Sequence, residues 1–203
     1  EKVVPFSTAL GTILSNFEAG FNYQDVQDPA VTILFKLENV NKYIAAWTTT
    51  PWTLPSNLAL CVGKDIDYVE ARDQESGKIV ILAKERLDAI GKTKRLDVIT
   101  GFKGSELVGT RYEPLFPYFS EYEKEGAFVI LEDDYVTTDA GTGIVHQAPA
   151  FGEDDFRVLR AAGIQLTPCP VDMEGKFTDE VTDFEGMNVK EADKHIIRHL
   201  KDK

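Results

Sequence analysis

Apolar residues alternate or cluster in short runs along most of this chain, and few runs hold a helical period. VTILFKL (31–37) predicts a strand, and YIAAWTTT (43–50) a second one that ends at Pro51. LALCV (58–62), YVEAR (68–72) and IVILA (79–83), the last two joined by the turn QESGK, predict a three-stranded meander. KERLDAIGK (84–92) has helical spacing, with Leu87 and Ile90 on one side and Gly91 as a stop. AFVILEDDYV (127–136) and IVH (144–146) predict further strands, and the section between residues 93 and 126 shows no firm period. After the break at Pro149, a helix is expected from Glu153 to Gly163, its first turn carrying Glu153, Asp154 and Asp155. PVDMEGKFT (170–178) predicts a tight hairpin, and Val189, Ala192, Ile196 and Leu200 fall at helical spacing in a terminal amphipathic helix. Residues 1–30 are irregular. Many short strands with a few helices predict an α+β, β-rich domain with a barrel-like or curled core.

Composition narrows this picture. The 203 residues are 43% hydrophobic and 28% charged, ordinary for a globular protein. No apolar run reaches the roughly 18 residues that a membrane span requires. The net charge of −12 offers no basic face for a long nucleic-acid backbone. Cys61 and Cys169 lack the spacing of a zinc site or a disulfide scaffold, which predicts buried free thiols in a reducing compartment. No GxxxxGK[ST] or GxGxxG loop is present, so no nucleotide-phosphate cradle is implied. The opening EKVVPFSTAL reads as the middle of something longer.

Two polar clusters stand out. In WTTTPWTLPSN (47–57) a strand stops at a proline while still carrying hydroxyls. Alternation puts Thr48 and Thr50 on one face and Thr49 on the other. A plain β-edge, with Asn57 bonding a turn, explains this equally well. In GTGIVHQAPAFGEDD (141–155), His146 ends a strand and Asp155 opens a helix, where a carboxylate should stay ionised and suit an ammonium partner. Simple capping by Asp154 and Asp155 is the competing explanation. No GxSxG elbow supports a serine hydrolase, and the ligands fall short of a metal site. His195 and His199 share a face of the terminal helix and are expected as solvated surface residues.

Together, WTTTPWTLPSN and GTGIVHQAPAFGEDD resemble the two signature stretches of the editing domain inserted into isoleucyl-tRNA synthetases. The related valyl and leucyl enzymes carry a T-x-R-P version of the first, and Thr50 stands where they have arginine. RYEPLF (111–116) and PVDMEGKFT match secondary landmarks of the family, and VVPFST and NYQDVQDPAV (22–31) look like its eukaryotic cytosolic branch. The resemblance implies one editing domain over 1–203, with residues 1–30 and 188–203 as flanks joining it to a catalytic core. Neither HIGH nor KMSKS occurs here, so ATP and Mg²⁺ would serve only that core, and editing would need no cofactor. The implied function is the second step of a double sieve. A single missing methylene gives only about 150-fold preference, a figure for which this family is itself the general example.

The implied substrate is valine esterified to the 3′ end of isoleucine tRNA, and the implied location is the cytoplasm. Asp155 would bind the α-ammonium; Thr48, Thr49 and Thr50 would place the ester and water; Asn57 would support them. Trp47, His146 and Phe151 would line the side-chain pocket, with His146 as the wall against isoleucine or, second, as a general base. The acidic charge implies that most tRNA affinity resides elsewhere in the synthetase. A free-standing deacylase and a catalytically silent binding or spacer domain are the rival functions.

Overall fold

Among the described residues, strands sort into two main sheets and one small hairpin. The computed structural model describes residues 2–21, 28–91 and 95–202. The first six residues of NYQDVQDPAV (22–27) and Lys92, the last of KERLDAIGK, therefore lie outside the described residues. Near the start, β1 (Phe6–Ser7) pairs with β2 (Thr12–Ile13), and the single-turn helix α1 (Asn16–Ala19) follows, capped by Ser15. The larger sheet begins with β3 (Val31–Lys36) and β4 (Lys42–Thr48), antiparallel, with Val31 opposite Thr48. Three more strands complete it, β6 (Asp67–Asp73), β7 (Ile79–Ala83) and β8 (Leu96–Lys103), in the order β3-β4-β7-β6-β8. The smaller sheet centres on β5 (Ala59–Val62), flanked by antiparallel β10 (Ile144–Gln147) and parallel β9 (Val129–Glu132).

The expected meander is thus corrected. β6 and β7 form a hairpin, but β5 belongs to the other sheet. All four β5 residues are buried, and a strand covered on both faces belongs at a sheet centre. β8 carried no usable signal, because Val98 to Gly101 are all exposed and no alternation survives. AFVILEDDYV yields a strand only over Val129–Glu132, entered through Phe128 in a left-handed conformation (φ 61°). KERLDAIGK forms a 3₁₀ turn over Lys84–Arg86 and then α2 (Leu87–Gly91); Leu87 and Ile90 pack on one apolar cluster, as their spacing predicts. The α+β, β-rich class holds, although the described strands curl around a shared core without closing into one ring.

That core joins both sheets. Phe35, Ile44 and Ile81 meet Leu58, Leu60, Ile130 and Ile144, all essentially without solvent exposure. Each such side chain contributes about 1.5–3 kcal/mol by leaving water. Tyr112 sits among them, edge-on to Phe35 at 5.3 Å and to Phe128 at 6.1 Å.

Two helices fix the loops that matter below. α3 (Glu153–Ala161) follows the proline-broken loop after β10, and α4 (Val189–Lys201) starts at Asn188, whose side chain caps Lys190 N. α4 buries Ala192 and Ile196, and Asp193 Oδ1 accepts a 2.8 Å bond from Trp52 N, tying the helix to the loop after β4. His195 is exposed as expected. His199 is not fully solvated; it lies half-buried against Phe116 and Phe184, because its helix face meets that aromatic cluster. Both cysteines are free. Cys61 is buried, but Cys169 is exposed, since the two prolines beside it turn inward and leave it facing out. The hairpin in PVDMEGKFT is present, with Val171 bridging Phe177.

Gly143 sets where β10 begins. Its φ is +75°, and a Cβ there would stand 2.5 Å from Ala83 Cβ at the end of β7. Its carbonyl accepts a 2.6 Å bond from the buried Tyr68 Oη. Gly143→Ala is expected to destabilise the chain by about 2–4 kcal/mol, through left-handed strain and overpacking together. Urea unfolding checks this; a loss below 0.5 kcal/mol would mean that β10 shifts freely.

Candidate functional site

The site grows from the point where β4 stops. Pro51 cannot donate to a ladder, and a 3₁₀ turn over Pro51–Ser56 takes over, with Thr50 preceding it. Strand alternation buries Thr48 and exposes Thr49, as expected. Thr48 Oγ1 accepts from Thr50 N at 3.0 Å and lies 3.2 Å from Thr50 Oγ1, so the last strand hydroxyl curls the chain back on itself. Thr53, one turn later, donates from Oγ1 to the Thr50 carbonyl at 2.9 Å. The same oxygen lies 2.8 Å from His146 Nε2 on β10. The other ring nitrogen, Nδ1, lies 3.3 Å from Asn57 Nδ2. Asn57 Nδ2 also donates to Ala59 O at 2.9 Å, and Asn57 Oδ1 accepts from Tyr112 Oη at 2.6 Å.

Burial governs the charge state of His146. The ring is 7% exposed, and removal from water lowers its pKa to about 4. It is therefore neutral near physiological pH and a weak base. Asp155 departs from expectation. It lies in the first turn of α3, folds back over Gly152 and accepts a 2.8 Å bond from Ala148 N. A Cβ at residue 152 would come within 2.7 Å of its carboxyl carbon, so a larger residue there would displace the carboxylate. Its pKa is raised to about 6, first by burial and further by Asp154. The helix dipole was expected to keep it low, but that effect is worth only about 0.3–1 kcal/mol, less than one pKa unit. Desolvation outweighs it. Arg157, two residues further along the same helix, is held by Asp133 at 2.7 Å and Asp154 at 3.0 Å.

The structure therefore brings Thr48, Thr50, Asn57 and His146 into one hydrogen-bonded set through Thr53, and Asp155, in the first turn of α3, reaches back to Ala148 on the loop leaving His146. It does not bring Trp47 there. Trp47 alternates with Thr48 and points to the outer face of the sheet, where it lines a cavity of about 500 Å³ with Leu34, Val80, Arg86 and Gly141. Thr49 is likewise outside the set. Phe151 packs edge-on against Trp52 at 4.8 Å, so Trp52 is the tryptophan on this side. Thr53 and Tyr112 were also missed, although both lie inside quoted motifs, WTTTPWTLPSN and RYEPLF. Among the described residues no group of three or more His, Cys, Asp or Glu side chains could hold a metal ion.

No family model matches the chain. Over 203 residues it is 54% identical to an isoleucine–tRNA ligase of Bdellovibrio bacteriovorus, covering 98% of this chain and 19% of that protein. It is 53% identical to the cytoplasmic isoleucine–tRNA ligase of Mus musculus (99% of this chain, 16% of that protein). The cytoplasmic enzyme of Saccharomyces cerevisiae is 50% identical (98% and 19%). The chain thus spans about a fifth of the length of these relatives, and the likeness extends to bacterial enzymes as well as eukaryotic cytoplasmic ones. In fold it is similar to the crystal structure of GlLeuRS-CP1, with TM-score 0.66 and 16% identity, covering 86% of this chain and 96% of that one. A P. knowlesi cytosolic leucyl-tRNA synthetase editing domain matches with TM-score 0.64 and 13% identity, over 85% and 93%. No helix is long and apolar enough to cross a membrane among the described residues. Half-identity along essentially the whole chain places this chain in the isoleucyl-tRNA synthetase family, with the fold of those editing domains.

Proposed function

We propose that this domain hydrolyses the ester linking valine to the 3′ end of isoleucine tRNA, as the second sieve of its synthetase. The observation that carries this is the linked set Thr48, Thr50, Thr53 and neutral His146, with the Asp155 carboxyl, from the first turn of α3, bonded to Ala148 on the adjoining loop. Asp155 takes the α-ammonium of the misattached amino acid, and the Thr48 and Thr50 hydroxyls, each able to donate and accept, orient the ester and a water. Water adds to the carbonyl carbon, the bond to the ribose oxygen breaks, and that oxygen takes up a proton. An activated ester needs positioning and oxyanion stabilisation more than a strong nucleophile. His146 acts as the wall that refuses isoleucine, and Trp52 with Phe151 forms an apolar flank.

The reaction uses no cofactor; ATP and Mg²⁺ belong to aminoacylation elsewhere in the synthetase. The partners are the tRNA 3′ end and the remainder of that enzyme in cis, in the cytoplasm. The test offers preformed valyl-tRNA and isoleucyl-tRNA to the full-length enzyme. Valyl-tRNA should be cleaved about 100-fold faster or more, the discrimination that one methylene supports. Failure to cleave either ester would leave the domain as a silent binding or spacer module.

A further inference from the structure

RYEPLF has no chemistry assigned to it so far, yet its Tyr112 is fully buried and touches the site through one atom. The Asn57 amide, with Nδ2 donating to Ala59 O and Oδ1 accepting from Tyr112 Oη, sets the order of donors and acceptors along that contact. Thr53 has one hydroxyl proton, which goes to the Thr50 carbonyl at 2.9 Å. With that proton so placed, Thr53 Oγ1 accepts in its 2.8 Å contact with His146, and Nε2 carries the proton. Neutral imidazole then has a bare lone pair at Nδ1, which must face a donor. Asn57 supplies one from Nδ2, whose other proton goes to Ala59 O. This amide orientation leaves Oδ1 pointing away, where Tyr112 Oη donates to it at 2.6 Å. Every proton runs one way, from Tyr112 to Asn57, and from Asn57 through His146 and Thr53 to the Thr50 carbonyl.

We infer that Tyr112, acting through Asn57, is a positioning residue that locks His146 as its Nε2–H tautomer and so holds Thr53 and Thr50 in register. Its functional half rests on the editing role proposed above. The chemical consequence is specific. The only free lone pair of His146 is occupied by an amide proton, so the ring cannot take a proton from water and serves as a fixed wall. The orientation of the hydroxyl row is set from the core, by a tyrosine held between Phe35 and Phe128. Without its hydroxyl, the Asn57 carbonyl oxygen loses its donor in a dry site, and the amide gains a reason to rotate. A rotated amide would present oxygen to Nδ1 and pull the proton there. Thr53 would then have to donate to Nε2 and release Thr50.

The chain has three histidines, which makes ¹⁵N-imidazole spectroscopy of the 203-residue protein tractable. Near neutral pH, His146 should show a pyrrole-type Nε2 and a pyridine-type Nδ1. The opposite tautomer, or an imidazolium, overturns the inference with no variant needed. Tyr112→Phe keeps the ring in its aromatic packing and should shift signal toward Nδ1–H. In the full-length enzyme it should lower kcat for valyl-tRNA hydrolysis about tenfold while leaving KM within about twofold. An unchanged tautomer and unchanged kcat in that variant also overturn the inference. If Tyr112→Phe fails to fold, Asn57→Asp asks the same question, since a carboxylate can only accept and must draw the proton to Nδ1. A wild-type Nε2–H tautomer in an enzyme that cleaves no ester would sink the editing role and leave the hydrogen-bond order standing.

Discussion

Full-length enzyme carrying His146→Ala is expected to deacylate correctly charged isoleucyl-tRNA about 10- to 200-fold faster than wild type, with valyl-tRNA cleavage held within a few-fold. The wall role requires this. A buried ring that only excludes bulk leaves room when it is removed, and one extra methylene is worth about 1–3 kcal/mol in such a pocket. The base role requires the reverse, loss of cleavage of both esters. The structure favours the wall on two independent grounds. Burial lowers the His146 pKa to about 4, which leaves little driving force for proton abstraction near neutral pH. Both ring nitrogens are already engaged, at 2.8 Å with Thr53 and 3.3 Å with Asn57. Deacylation assays on both charged tRNAs decide it, and parallel loss of the two activities would restore His146 as a base.

Legibility in the sequence followed physical locality. Strands with one more deeply buried face, such as β3, and helices with one apolar stripe, α3 and α4, announce themselves by period. β5 was legible as a continuous apolar run, but its sheet was not: partner choice depends on β9 and β10, which lie about 70 and 85 residues further on, and no local pattern encodes that pairing. Exposed β8 had no period to find. The site divided in the same way. Thr48 and Thr50 were predictable as a pair, because alternation is a two-residue rule. Trp47 was misplaced by ignoring that same rule, which sends it opposite Thr48. Tyr112 could not have been found from spacing, since only packing carries its hydroxyl to Asn57, 55 residues away.

Asp155 carries the other large expected effect. Asp155→Asn should lower kcat/KM for valyl-tRNA hydrolysis by about 100-fold, because a hydrogen bond to a charged group is worth about 1.5–3 kcal/mol and the ammonium loses its counter-charge. The amide oxygen can still accept from Ala148 N, so the helix start is preserved. A second signature comes from acidity. With a carboxyl pKa near 6 in the unliganded domain, wild-type kcat/KM should fall as pH drops through about 6, where the anchor takes up a proton; the variant should show no such step. Stability runs with the opposite sense. The folded-state pKa lies above the ordinary 3.8, so the native state binds the proton more tightly, and stability falls as pH rises from about 4 to about 6. Allowing for partial exposure, the loss is about 1–2 kcal/mol, and Asp155→Asn should escape it. The variant should therefore be at least as stable as wild type at neutral pH while nearly inactive. That combination cannot arise from a helix cap, whose removal costs stability first. If the variant instead cleaves valyl-tRNA normally, Asp155 only closes the turn onto Ala148, and the ammonium must be bound elsewhere.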